Sequence, residues 1–385
     1  MEALKRLLRP TFWKVVFVLV VAAGLYATWL RFAKGLGAAT ALSDRFPWGI
    51  WIGFDILCGV GLAAGGFTMA AAVHIFRVKR FEAVVRPAIL TAFLGYVLVV
   101  FALMFDLGRP WVVWHPLVMW NPHSVMFEVA WCVMLYTTVL ALEFSPMVFE
   151  RLGWGKALRR VHRALPYFVV LGVLLSTLHQ SSLGSLYLIV PTKLHPLWYT
   201  PLLPIQFFLS AAAIGSAMVL FESRLSGRAF GHELPAAVRV DLSRVMMVLL
   251  VPFALLRLAD LSRRGVLGLA FEPTMEAFLF QVEFSLGVVL PIILVAIRRV
   301  RHAPQGPFFA AICAILGFVT HRLNVSITGM DATQKTGYFP AWTELAVTMM
   351  IVAVGFAAFA LAVKFLPVFR QTGEEPEGEG APVEP

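Results

Sequence analysis

The chain has 385 residues, 59% of them hydrophobic and 14% charged, with a formal net charge of +10. A soluble domain carries about 25% charged residues, and runs of about 20 apolar residues, each long enough to cross a bilayer as a helix, recur here from end to end. The basic residues sit in short loops beside those runs, which fits positive-inside topology and not nucleic acid; the short alternating segments of a membrane β-barrel are absent.

The predicted fold is all-α, a polytopic transmembrane helical bundle of about ten spans with both termini cytoplasmic. The spans fall at roughly 12–32, 49–76, 87–106, 123–145, 164–183, 203–222, 240–259, 275–297, 307–323 and 341–366. Residues 1–46 form an N-terminal membrane helix and loop, with Trp29 and Arg31 as an interfacial anchor. Residues 47–340 form the core bundle, 341–370 the last membrane helix, and the acidic Gly/Glu/Pro stretch 371–385 a disordered tail. Lys and Arg concentrate in alternate loops, which places the ends inside and the loops after the odd-numbered spans outside.

The ionisable residues gather at the outer ends of the spans. Burying such groups at membrane depth is costly, so a one-sided cluster is a functional-site hypothesis. In span two Asp55 stands above Gly61 and Gly65, a G-x-x-x-G that lets another backbone approach. Asp106 and Arg109 close span three and can pair with each other or meet a ligand. The Trp-rich run that follows them reads as an interface-lying segment. Glu128 lies about one turn inside span four and is a candidate proton carrier. His179, Gln180 and Ser181 open the densest polar run at a helix end, which on the residues alone is either an ordinary helix terminus or a set of donors and acceptors to bond a quinone carbonyl. Glu276 and Glu283, seven residues apart on span eight, are either a proton file or two separately paired residues. His321 and Arg322 close span nine. Glu222 is an inner counterpart by depth.

Cys58, Cys132 and Cys313 lie inside spans and form no C-x-x-C or haem-attachment spacing, so no protein-ligated cluster or c-type haem is expected. His179 and His321 share a depth, which leaves bis-histidine haem b open on the residues alone. A proton-coupled transporter is a third class, although transporters place their charges at broken mid-membrane helices.

Several runs resemble the NrfD/polysulfide-reductase-like membrane anchor family. They are Pro47-Trp48-Gly49-Ile50-Trp51-Ile52-Gly53, Gly108-Arg109-Pro110-Trp111, Leu178-His179-Gln180-Ser181-Ser182-Leu183-Gly184 and Arg322-Leu323-Asn324-Val325. Tyr338-Phe339-Pro340-x-Trp342-x-Glu344 and the number of spans are similar to the HybB-type integral subunit of nickel–iron hydrogenases. The resemblance implies a haem-free and metal-free subunit of a respiratory oxidoreductase complex in the cytoplasmic membrane of a prokaryote. It would pass electrons between an outer-face iron–sulfur subunit and menaquinone or ubiquinone, beside a catalytic subunit that is a nickel–iron hydrogenase or a molybdopterin enzyme. Under that reading Asp55, Asp106, Arg109, His179, Gln180, Ser181, His321 and Arg322 hold the quinone, and Glu128, Glu222, Glu276 and Glu283 move protons.

Overall fold

The computed structural model describes residues 11–369, so the acidic stretch 371–385 lies outside the described residues. Among these, ten helices are long and apolar enough to cross a membrane, and no strand forms beyond an isolated bridge between Ser43 and Phe46. They are Phe12–Lys34, Trp51–Ile75, Lys79–Asp106, Val125–Leu152, Gly155–Ile189, Leu203–Phe230, Ala236–Arg263, Met275–Ala296, Gly306–Gln334 and Trp342–Phe365. Ten crossings return the chain to the face from which span one starts, here termed the terminal face; the loops after odd-numbered spans form the far face.

Several helices are longer than the sequence reading. That reading ends span four at 145 and starts spans three and five at 87 and 164, next to Pro146, Pro87 and Pro166. The helices run through all three prolines. Lipid and neighbouring spans leave the backbone no other way to satisfy its polar groups, so a missing N–H is tolerated in place. Basic first turns such as Lys156, Arg159 and Arg160 also extend past the apolar core, where long side chains reach water while their stems stay in contact with the helix.

Spans two and six form the centre, each with 72% of its apolar window enclosed, against 17% and 22% for spans one and ten at the periphery. Small residues make that centre possible. Gly65 of span two meets Gly215 of span six, where an added Cβ on Gly215 would lie 2.8 Å from Ala64 O. Of the span-two G-x-x-x-G, Gly65 thus receives a neighbouring backbone, while Gly61 makes room for the Phe318 ring. Gly287 and Gly317 bring spans eight and nine equally close.

Four helical stretches widen to π geometry: Trp51–Cys58, Ala71–Ile75, Ser285–Val289 and Asn324–Thr328. Three of these hold or adjoin the polar residues singled out from the sequence, as π-bulges at functional sites often do. The Trp-rich far-face segment after Asp106 forms two short turns, Pro110–Val112 and His115–Val118, with Trp111, Trp114 and Trp120 exposed.

Candidate functional site

The largest polar network lies in the far half of spans six to nine. Glu283 accepts from Arg257 Nη2 at 2.5 Å, from Asn324 Nδ2 at 2.6 Å and from Trp198 Nε1 at 3.0 Å. His321 is clamped between two guanidinium groups, with Arg257 Nη1 2.7 Å from Nε2 and Arg322 Nη1 3.0 Å from Nδ1. A neutral imidazole offers one lone pair, so only one of these contacts is a hydrogen bond; the Arg257 contact is the shorter. Arg322 also donates to Phe207 O and Ser210 Oγ at 3.1 and 3.0 Å, and lies over the Phe207 ring at 3.5 Å. Arg257, Glu283, His321 and Arg322 are all 5% exposed or less. Buried charges persist when paired and fully hydrogen-bonded, and removing one partner is strongly destabilising. The cavity beside Arg257, Glu283 and His321 measures about 20 Å³, room for roughly one water.

A second group joins spans two, three, four and five. Glu128 accepts from Ser182 Oγ at 2.5 Å, Gln180 Nε2 donates to Val60 O at 3.2 Å, and Tyr96 OH lies 3.1 Å from His179 Nδ1. The tautomer sets the roles in this pair: a phenol that donates to Nδ1 puts the imidazole proton on Nε2. His179 Nε2, Gln180 Oε1 and Tyr187 OH are buried with no hydrogen-bond partner among the described residues, the Tyr187 hydroxyl standing close to the Ser326 side chain without a bond of normal geometry. Buried polar atoms are nearly always satisfied, so three orphans along one helix end point to a ligand or water. Gln180 and Tyr187, seven residues apart, share a helix face. Trp48 packs edge-on against Tyr187 with ring centroids 5.6 Å apart, and Phe207 lies 6.4 Å beyond, linking this group to Arg322. Ser181, half-buried, only accepts from Ser185 Oγ through its carbonyl.

The third group ties spans one, two, three and ten. Asp55 is buried and accepts from Thr348 Oγ1 at 2.7 Å, so it faces span ten. The pairing of Asp106 with Arg109 does not form: Arg109 is exposed, and Asp106 Oδ1 is buried with no hydrogen-bond partner among the described residues. Gly108 and Pro110 turn the chain away from the bundle directly after span three, which carries the guanidinium outward. Arg31 corrects a second expectation. It is 4% exposed and donates to Phe105 O and Leu107 O at 2.7 and 2.6 Å, capping the end of span three instead of anchoring at the interface. Glu344, fully buried, accepts from Ala41 N, Ala341 N and Tyr338 OH, and locks the far-face loops. Burial, together with that Glu344 carboxylate, pushes the Tyr338 phenol above its usual range and keeps it a donor.

The carboxylates assigned to proton movement lie apart. Glu222 accepts from Thr91 Oγ1 at 2.6 Å in the terminal half of span six, beside an apolar groove of about 370 Å³ between spans three, six and ten. Glu276 has no hydrogen-bond partner among the described residues and stands close to His195, whose imidazole pKa burial lowers while Glu276 and Glu272 oppose the shift. Glu283 is held by three donors. The residues that sequence reasoning left out of the site are Tyr96, Tyr187, Trp198, Arg257 and Asn324. Arg257 and Asn324 stand beside residues it did choose, but pairing between spans leaves no local signal.

The arrangement fits haem poorly, because both nitrogens of His321 face guanidinium groups and neither is free for iron. It offers instead a row of directed donors and acceptors in an apolar shell.

The family model "Polysulphide reductase, NrfD" matches residues 38–333. A protein of Nitratidesulfovibrio vulgaris is 39% identical over 367 residues, covering 92% of this chain and 93% of that one. The Escherichia coli protein named "Probable Ni/Fe-hydrogenase 2 b-type cytochrome subunit" is 36% identical over 343 residues, covering 88% and 87%. The N. vulgaris "Menaquinone reductase, integral membrane subunit" is 28% identical over 384 residues, covering 91% and 90%. With the family pattern running across most of the bundle and relatives above 30% identity along nearly its whole length, this multi-pass membrane chain belongs to the NrfD family.

Proposed function

We propose that the chain is the haem-free, quinone-reactive membrane subunit of a respiratory complex in a prokaryotic cytoplasmic membrane. The far face is outside. A docked iron–sulfur protein there exchanges electrons with menaquinone or ubiquinone, and the catalytic partner is a nickel–iron hydrogenase. The observation that carries this reading is the set of unpartnered atoms on span five. His179 Nε2–H and the Tyr187 hydroxyl supply donors for a quinone carbonyl, and Gln180 Oε1 supplies an acceptor for the hydroxyl of the reduced form. Trp48 and Phe207 pack against Tyr187 as apolar walls. Asp55, Asp106 and Arg322 set the electrostatics around the ring, and Arg109, exposed beside the tryptophan-rich turns, belongs to the docking surface. Glu128, through Ser182, exchanges the proton; Glu222, Glu276 and Glu283 are less directly placed, since each has its own surroundings.

The test uses the intact complex. His179→Ala is expected to abolish quinone-linked turnover while the partner's activity with an artificial dye stays at the wild-type level. Equal loss of both activities would mean an assembly defect, and unchanged quinone turnover would remove His179 from the site.

A further inference from the structure

Away from the polar networks, the terminal face holds a recess of about 380 Å³. Three ends meet there: the first turn of span three, with Arg80; the first turns of span seven, with Arg239, Asp241 and Arg244; and the connection between spans eight and nine, with Arg301 and His302. Four guanidinium groups face one carboxylate. Asp241 is already engaged, paired with Arg80 and, at 3.0 Å, with Arg244. Among the described residues Arg239 has no side-chain partner, and Arg301 bonds only Val295 O while its Nε is buried and unpartnered. The cations therefore exceed what the protein itself neutralises.

Span seven adds a second attraction. It begins at Ala236 behind Pro235, which provides no side-chain cap, and Ala236 and Ala237 line the recess. The first backbone N–H groups of this 28-residue helix, and the positive end of its dipole, are therefore open to an anion. The recess lies at the ends of membrane-spanning helices, at the level of lipid headgroups. Beyond it spans seven and nine expose Val248 and Phe309.

We propose that this recess binds the phosphodiester of an anionic phospholipid, phosphatidylglycerol or cardiolipin, with the acyl chains running along spans seven and nine. Basic pockets between membrane helices suit such headgroups, and each basic residue near the phosphate strengthens binding about fivefold. A zwitterionic lipid carries its own ammonium group and gains little from the excess of guanidinium. The residues beyond Phe369 offer a competing anion. Phe369 stacks on His232, four residues before span seven, and the chain that follows carries Glu374, Glu375, Glu377 and Glu379.

The experiment is native mass spectrometry of the full-length protein, delipidated in detergent and titrated with phosphatidylglycerol, cardiolipin, phosphatidylethanolamine or inorganic phosphate. The wild type is expected to retain the anionic lipids about tenfold or more tightly than phosphatidylethanolamine. Arg239→Gln with Arg301→Gln should weaken that retention roughly thirty-fold, whereas Arg239→Lys with Arg301→Lys should restore most of it. Arg160→Gln, exposed near the start of span five, should leave it unchanged. If the double glutamine variant fails to fold, Arg239→Gln alone, at a side chain without partners, carries the test with a loss of about fivefold. Equal retention of both lipid classes, or unaltered binding by the glutamine variants, overturns the proposal. So does inorganic phosphate binding as tightly as the lipid, which would make this a site for a free anion. Anionic lipid that binds only after residues 371–385 are removed would make the acidic tail the occupant instead.

Discussion

Replacing Glu283 by Ala removes a buried charge held by three donors. The change deletes three acceptor contacts, to Arg257, Asn324 and Trp198, and leaves the Arg257 guanidinium 2% exposed with no carboxylate. Breaking a buried pair by removing one partner costs about 3–5 kcal/mol, much of it the stranded charge. Glu283→Gln keeps the shape and one oxygen acceptor, and should cost about 2 kcal/mol, in the range of one hydrogen bond to a charged group. Combining Glu283→Ala with Arg257→Leu removes the stranded guanidinium, so the double variant should recover about 1–3 kcal/mol relative to the sum of the single changes. Equilibrium unfolding in mixed micelles with increasing SDS gives the four stabilities of that cycle. If the single costs add to within about 0.5 kcal/mol, the two side chains are not coupled and the network described around His321 is wrong.

Gly215→Val should push spans two and six apart at Ala64 O and lower stability by about 1–3 kcal/mol, read from the same unfolding curves. Tyr338→Phe removes the hydroxyl that accepts from Ile50 N and donates to Glu344, and faster amide exchange at Ile50 should report the loosened far-face loops. His195 accepts from Leu197 N through Nδ1, and burial holds its pKa below the ordinary imidazole value of about 6.5. The unfolded loop therefore takes up the proton first, so protection of the Leu197 amide should be full above that pH and decline below it. Protection independent of pH would show that the imidazole does not hold this loop.

The ten spans were legible because bilayer thickness imposes a length on apolar runs that few other structures share. Their ends were not, since prolines and charges that stop a helix in water do not stop one held by neighbouring spans. The site was legible in part. Burying Asp55, His179, Gln180, His321 and Arg322 costs enough that their position near span ends already marked them. The missing information was partnership. Arg109 follows Asp106 closely in the chain and so suggested itself as the cation at the end of span three. The cation that meets that end is Arg31 of span one, 74 residues before the Phe105 carbonyl it bonds, and nothing in the local sequence connects the two.

The widened turn Asn324–Thr328 separates two sets of contacts on span nine: His321 and Arg322 before it, and Gly329 after it, whose carbonyl accepts from His195 N at 2.8 Å. Regular winding advances about 100° per residue, so shortening this stretch by one residue would swing Gly329 off the His195 loop while the arginine kept its seat. Chain length here sets the phase between the buried arginine and the His195 loop.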